Sequence, residues 1–472
     1  MRTRTVFVAL SGLNVFAETT AIVRDVSFTL SQGLPLTLLG ASGSGKSLVA
    51  HAIMGSLPAG LSVTGSVHLD GTDLLAIGPD AVRKGWGRTV ALLPQEPWLA
   101  LDPTMRIGGQ VMEVHRHLHG ASRTDAYARA RADLEEVGLG DRTKDYPHEL
   151  SGGMCQRAAI AVTHAAGAAL LIADEPTKGL DAVLRDNVVT RLRQEVEKGR
   201  LLLTITHDIA VAKALGGMIG VMLDGRLVEF GPALDVLERP RHTYARALIA
   251  ADPSRWPAPG LPAPTDMVLR GRGLAKRFGD KQLFTDFDIS ISRGEVVAIT
   301  GPSGCGKTTV GNLLLRVIMP DKGFVERNRD ISPLRLQKLY QDPPAAFAPY
   351  QTFRRALEDL LKRHRLPWRQ AEETMGQLWL QRVLLDRYPT EVSGGELQRF
   401  AILRALMLDP AFLFADEAAS QLDPVSQQDV FTILIDAVRS RGLALLIVTH
   451  ETALAERVAS RVIHLGTGLP PG

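Results

Sequence analysis

Cysteine occurs only twice in 472 residues, at positions 155 and 305, with no Cys-x-x-Cys pair. This excludes a disulfide framework and a cysteine-built metal centre, and it fits a reducing cytoplasm. No apolar run approaches the roughly 20 residues needed to cross a bilayer. Any membrane passage tied to the chain's work is therefore expected to belong to other chains. Aromatic residues make up only 5% of the chain, and 54 basic against 51 acidic residues leave a formal charge of +3. So small an excess points neither to nucleic acid nor to an anionic membrane surface. The opening Met1-Arg-Thr-Arg4 is charged, but Val6–Leu10 is too short and lacks a clear cleavage site, so it is expected to be a first β-strand rather than a signal peptide.

What is present is a repeat. Gly40-Ala-Ser-Gly-Ser-Gly45-Lys46-Ser47 and Gly301-Pro-Ser-Gly-Cys-Gly306-Lys307-Thr308 both fit G-x-x-x-x-G-K-[ST], the loop whose successive N–H groups cradle phosphates. Candidate phosphate-binding positions are Gly40, Ser42, Gly43, Gly45, Lys46 and Ser47 in the first half. In the second they are Gly301, Ser303, Gly304, Gly306, Lys307, Thr308 and Thr309. Leu36–Leu39 and Val296–Thr300 precede the loops as short β-prone runs, the pattern of strands buried on both faces. Leu48-Val49-Ala50 and Thr309-Val310 begin helix-compatible stretches whose N-terminal dipole favours phosphate.

The same order of features then follows twice. Gln95 and Gln341 each end an apolar run. Leu150-Ser151-Gly152-Gly153-Met-Cys-Gln-Arg157 and Val392-Ser393-Gly394-Gly395-Glu-Leu-Gln-Arg399 come next, each with a serine able to cap a helix and glycines that let N–H groups approach an anion. Leu170–Glu175 and Phe412–Glu417 are apolar strands ending in two carboxylates, with 23 positions from serine to aspartate in both halves. Thr206-His207-Asp208 and Thr449-His450-Glu451 close further strands rich in Leu, Ile, Val and Thr.

With the Ser-Gly-Gly-x-x-Gln-Arg signature in place, the chain resembles the ATP-binding cassette superfamily over nearly its whole length. The resemblance implies an α/β fold of two tandem P-loop cassettes. Each would be a mixed β-sheet core flanked by helices, with an inserted helical subdomain and an antiparallel β region. It implies an ATPase using ATP and Mg²⁺, with Asp174 and Asp416 holding the ion through its shell together with Ser47, Gln95, Thr308 and Gln341. Glu175 and Glu417 would polarise the attacking water, His207 and His450 would contact the γ-phosphate, and Gln95 and Gln341 would serve catalysis. Phe16 and Phe278 fall where the family stacks an aromatic ring on adenine, although Phe16 is equally suited to a core. In the family an active site is shared, so the P-loop set of one half is expected to face Ser393, Gly394 and Gly395, and that of the other Ser151, Gly152 and Gly153. The D-loops correspond to Lys178-Gly-Leu-Asp181 and Ser420-Gln-Leu-Asp423, where Lys178 and Gln421 are departures able to make the two sites unequal.

Length exceeds one hydrophobic core. The expected division is 1–252, a proline-rich linker at 253–266, and 267–472. Between Gln95 and Ser151, and between Gln341 and Ser393, stretches such as Tyr127–Val137 and Ala371–Leu380 carry the apolar spacing of surface helices. The halves differ: Lys46 to Gln95 spans 49 positions and Lys307 to Gln341 only 34, so the second is expected to lack much of the antiparallel region, including a counterpart of the Asp70-Gly71 turn.

The first half also carries Arg239-Pro-Arg-His242-Thr-Tyr244-Ala-Arg246-Ala-Leu248, similar to the closing segment of ATPases in the peptide and nickel importer branch. Gln341-Asp-Pro-Pro-Ala-Ala-Phe-Ala-Pro349 is similar to another motif of that branch. The resemblance thus implies the energising subunit of a bacterial importer at the cytoplasmic face of the inner membrane. Its partners would be two transmembrane permeases and a periplasmic or lipid-anchored solute-binding protein, with no nucleic acid. The alternative is a soluble tandem ATPase acting on ribosomes, whose linker is typically longer and charged. A DNA-repair ATPase would need zinc-binding cysteines that this chain lacks.

Overall fold

Two alternating apolar patterns of different period build each half of the chain. The computed structural model describes residues 7–96, 100–178, 180, 182–302, 304–420 and 422–466. By contact it divides into Met1–Ile249 and Ala250–Gly472.

The first unit contains strands β1 (Phe7–Ala17), β2 (Thr20–Ser31), β3 (Leu36–Leu39), β4 (Leu61–Leu69), β5 (Thr72–Asp73), β6 (Val90–Leu93), β7 (Leu170–Asp174), β8 (Leu201–Thr206), β9 (Met218–Leu223) and β10 (Arg226–Pro232). Its main helices are α1 (Lys46–Met54), α2 (Ile107–His119), α3 (Arg123–Glu136), α4 (Gly152–Ala166), α5 (Ala182–Glu197) and α6 (Thr243–Ala250). Strands with period-2 alternation form an antiparallel sheet in the order β2-β1-β4-β5, turning at Asp70-Gly71. Val23, Val26, Phe28 and Leu30 of β2 point inward from it. β1 runs past the expected end at Leu10, and it absorbs Ser11-Gly12-Leu13 through a register shift against β4 between Ser11 and Asn14. A bulge lets one long strand bend over the core.

The second sheet runs β10-β9-β3-β8-β7-β6, parallel except for the β9–β10 hairpin. All four residues of β3 and all five of β7 are buried, because helices and the antiparallel layer cover both faces. α2 buries Ile107, Val111 and His115, and α3 buries Ala126, Ala130 and Leu134, each set spaced four apart along one face. His115 Nε2 meets Asp133 Oδ2 at 2.6 Å, tying these two helices of the inserted subdomain together.

The second unit repeats the plan in reduced form. Its strands are β11 (Met267–Phe278), β12 (Lys281–Ser292), β13 (Val296–Thr300), β14 (Lys322–Arg327), β15 (Leu336–Leu339), β16 (Phe412–Asp416), β17 (Ala444–Val448) and β18 (Arg461–His464). β12-β11-β14 are antiparallel and β15-β16-β17-β13-β18 are all parallel. Among the described residues, β14 has no hairpin partner matching β5, in accord with the shorter spacing there. Its main helices are α7 (Lys307–Leu314), α8 (Phe353–His364), α9 (Trp368–Gln377), α10 (Gly394–Leu406) and α11 (Pro424–Arg441). Phe353 of α8 stacks on Phe400 of α10 with ring centroids 3.8 Å apart. The helix expected over Ala371–Leu380 stops at Gln377. Trp379 adopts φ 53°, a left-handed turn that ends the helix.

The proline-rich stretch begins docked on the second unit. Pro253–Arg255 forms a single helical turn, and Trp256 is buried in the second unit's core with its ring 6.1 Å from that of Phe431. Its indole N–H donates to the Ala251 carbonyl at 3.0 Å.

Candidate active site

β8 lies between β3 and β7 in the first unit, and β17 between β13 and β16 in the second. Asp174 pairs in register with Ile205, and Leu39 with Thr206. The glycine loop, the two carboxylates and the histidine therefore emerge side by side at the carboxyl edge of one sheet. A parallel sheet collects ligand-binding loops at that edge.

The loops themselves are closely matched. α1 and α7 start at the lysines, two residues before the apolar stretches predict, directly after Gly45 (φ 95°) and Gly306 (φ 106°). Gly40 (φ 154°) and Gly301 (φ 145°) tolerate no side chain, since a Cβ would fall 2.3 Å from the Met222 carbonyl oxygen and 2.2 Å from that of Leu465. Lys46 Nζ donates to the carbonyls of Gly40 and Ala41, both at 2.8 Å, and to Ser44 Oγ at 3.2 Å. Lys307 Nζ donates to the carbonyls of Gly301 and Pro302 at 2.8 and 3.0 Å. Each ammonium thus closes its own loop by binding that loop's carbonyls. Ser303 lies outside the described residues.

The carboxylates differ between units. In the first, burial pushes the Asp174 carboxyl up against the lowering effect of the Ser47 hydroxyl bonded to it, and its Oδ1 is buried with no partner among the described residues. In the second, Thr308 Oγ1 donates to Asp416 Oδ1 at 2.7 Å, and Lys338 Nζ stands 3.0 Å from Oδ2.

Glu175 and Glu417 both take left-handed backbone, φ 48° and 49°, held by bonds from their N–H groups to the Ile205 and Val448 carbonyls at 2.8 and 3.0 Å. Glu175 Oε1 meets His207 Nδ1 at 2.9 Å, and Thr206 Oγ1 donates to Oε2 at 3.2 Å. Burial acts to raise the Glu175 carboxyl, but His207 and Lys46 outweigh it and hold the group below the usual carboxylate range. Burial likewise acts to lower His207, and Glu175 more than reverses this, so the imidazole titrates above its ordinary value. In the second unit Gln341 Nε2 donates to Glu417 Oε2 at 3.0 Å, while His450 Nδ1 stands 3.8 Å from the same oxygen. There too the histidine keeps the carboxyl low and is itself raised. Among the described residues Gln95 makes no comparable bond to Glu175.

The signature serines cap helices, as their residue type predicts. Ser151 Oγ accepts from the Met154 N–H at 3.4 Å, whereas Ser393 forms a full capping box with Glu396. Phe16 is half-buried on β1. Phe278 is 54% exposed with Lys276 Nζ 5.5 Å from its ring centre, so it is not a core residue. Gly179, Asp181 and Gln421 of the D-loops lie outside the described residues.

The sequence model of a family described as ABC transporter matches this chain twice, at residues 23–178 and 284–420. The chain belongs to the ABC transporter family. The peptidoglycan transport ATP-binding protein YejF of Agrobacterium fabrum is 35% identical over 487 residues, spanning 95% of this chain and 88% of that protein. The glutathione import ATP-binding protein GsiA of Salmonella typhi is 32% identical, over 96% of this chain and 84% of its own. In fold, a solved structure titled RNase-L Inhibitor matches with a TM-score of 0.66 at 20% identity, over 96% of this chain and 87% of that one.

As an ABC ATPase the chain binds ATP with Mg²⁺, and the residues present fit both. The glycine loop holds its phosphate-cradling conformation only because no Cβ stands at Gly40 or Gly301 to strike the Met222 or Leu465 carbonyl. Beside it, a buried carboxylate oxygen on Asp174, without a partner among the described residues, and the Ser47 hydroxyl form the hard oxygen set that Mg²⁺ prefers. Two contributors escaped the sequence reasoning. Thr206 touches Glu175, and its signal was a hydroxyl at the end of an apolar strand. Tyr244 of α6 accepts the Ala41 N–H at 2.8 Å through its hydroxyl oxygen; its motif was visible, but not that the segment folds back onto the loop.

Proposed function

We propose that this ABC ATPase is the energising subunit of a bacterial importer, working at the cytoplasmic face of the inner membrane on two permeases fed by a solute-binding protein. The observation that carries the reading is a complete motif set, edge-assembled twice in one chain, together with 35% identity over 95% of its length to a transport ATPase. Peptide-containing solutes are the proposed cargo, because the relatives described above are named for glutathione and peptidoglycan. Nickel chelates form the other arm of the test.

In each cassette the residues would act as follows. Lys46 and Lys307 turn from the loop carbonyls to the β- and γ-phosphates, and Ser47 with Asp174, or Thr308 with Asp416, hold Mg²⁺, which neutralises phosphate charge when bound. Glu175 and Glu417, kept ionised by their histidines, orient and polarise the attacking water. His207 and His450, whose imidazoles are raised by the adjacent glutamates, face the γ-phosphate. Ser151 to Gly153 and Ser393 to Gly395 present helix-start N–H groups to a nucleotide held by another cassette, so hydrolysis waits on closure. Phe16 and Phe278 stack on adenine.

The test is co-purification from native membranes of the wild-type chain and a Glu175→Gln, Glu417→Gln double variant held with ATP. Two polytopic permeases are the expected companions, and the cargo of their binding protein separates peptides from metal chelates. Ribosomal proteins without a permease would overturn the proposal.

A further inference from the structure

Asp174 and Asp416, the last residues of β7 and β16, sit in different electrostatic surroundings, and one strand position contributes a lysine to the second alone. β6 pairs Leu92 with Ile172, and β15 pairs Lys338 with Phe414. Both partners lie two residues before the aspartate, so Leu92 and Lys338 occupy the same place in their sheets. In the first cassette that place is apolar, and Asp174 keeps a buried oxygen without a partner among the described residues. In the second, the Lys338 ammonium stands 3.0 Å from Asp416 Oδ2, and Thr308 fills Oδ1.

Lys338 is not there by chance of a flexible chain. Its side chain is only 14% exposed. Its Nζ also donates to Asn312 Oδ1 of α7 at 3.0 Å and lies 4.9 Å from the Phe414 ring centre and 5.3 Å from that of Tyr340. Such a site selects a cation and fixes its position.

We propose that Lys338 is a positioning residue that gives the second cassette a resident positive charge at Asp416, so that the two sites of one chain differ in their need for the divalent ion. The inference rests on the ATP and Mg²⁺ site reading above. A fixed cation facing the aspartate both repels a divalent ion and occupies the oxygen that its hydration shell would use. The first cassette has an open carboxylate and takes the ion tightly. The second takes it weakly and retains nucleotide without it.

The experiment is a Mn²⁺ titration of the full chain, saturated with a non-hydrolysable ATP analogue, followed by electron paramagnetic resonance of free Mn²⁺. A parallel measurement reads fluorescent ATP analogue retained in EDTA. Wild type should show one tight Mn²⁺ and a second at least tenfold weaker, with nucleotide held at one site in EDTA. Lys338→Leu should bring the second Mn²⁺ to the affinity of the first and abolish retention in EDTA. Lys338→Met gives the same reading if the leucine variant folds poorly, and Leu92→Lys should weaken the tight site at least tenfold. Two equal Mn²⁺ affinities in wild type, or variants that leave both unchanged, would overturn the inference. Absence of nucleotide-dependent Mn²⁺ binding at either site would instead overturn the site reading beneath it.

Discussion

Replacing His207 or His450 by alanine should damage the two cassettes to different degrees. His207 bonds an ionised and mostly buried Glu175 at 2.9 Å, with side chains 22% and 11% exposed. A hydrogen bond to a charged group contributes about 1.5–3 kcal/mol. His450 stands 3.8 Å from Glu417, which already accepts from Gln341, so its loss should resemble that of a weak ion pair, about 1 kcal/mol or less. For units of this size 1 kcal/mol moves a melting temperature by about 2–4 °C. His207→Ala should therefore lower one calorimetric transition of the full chain by about 3–12 °C, and His450→Ala the other by under about 4 °C. The pH dependence has a fixed sign. His207 is raised, so its contribution is full below the ordinary imidazole value and fades as pH climbs through the folded one. Glu175 is lowered, so its contribution is present above the ordinary carboxylate value and fades as pH falls through the folded one. The gap between His207→Ala and wild type should thus be widest in the plateau between these limits. Equal shifts for the two variants, or a gap that keeps growing at alkaline pH, would refute the reasoning.

Gly301→Ala places a Cβ 2.2 Å from the Leu465 carbonyl oxygen in a left-handed conformation. A destabilisation of about 1–3 kcal/mol is expected, and titration with a fluorescent ATP analogue should show one of two binding events lost. Trp256→Ala empties a buried position against Phe431 and should cost about 3–5 kcal/mol. Urea denaturation should record that loss as an earlier transition of the second unit, with the first unit's midpoint unmoved.

Much of this architecture is legible in the residue order because the chemistry is local. Leu36–Leu39 and Val296–Thr300 are apolar, short and followed by glycine, and they became β3 and β13 with the expected bounds. The contracted antiparallel region of the second unit followed from a count of positions between Lys307 and Gln341. The misses are features set by distant packing. β1 continues past Leu10 because a bulge accommodates Gly12, which periodicity does not register. α9 ends at Gln377 because Trp379 turns left-handed, against a continuous helical pattern. Tyr244 reaches Ala41 across 203 positions, and Lys338 reaches Asp416 from the neighbouring strand, far away in sequence. Pairing between remote strands, not local composition, decides what surrounds a carboxylate.

The left-handed backbone at Glu175 and Glu417 has a bearing on any effort to harden this protein. An L-residue with a long side chain is at a disadvantage of about 1 kcal/mol or more in that conformation, and asparagine suffers less. Variants that discard the glutamate for asparagine relax the turn while removing the group proposed to polarise water. Heat-based selection without a turnover check is therefore expected to drift toward inert proteins at these two positions. Durability and turnover pull in opposite directions at the end of a single strand, in each half of the molecule.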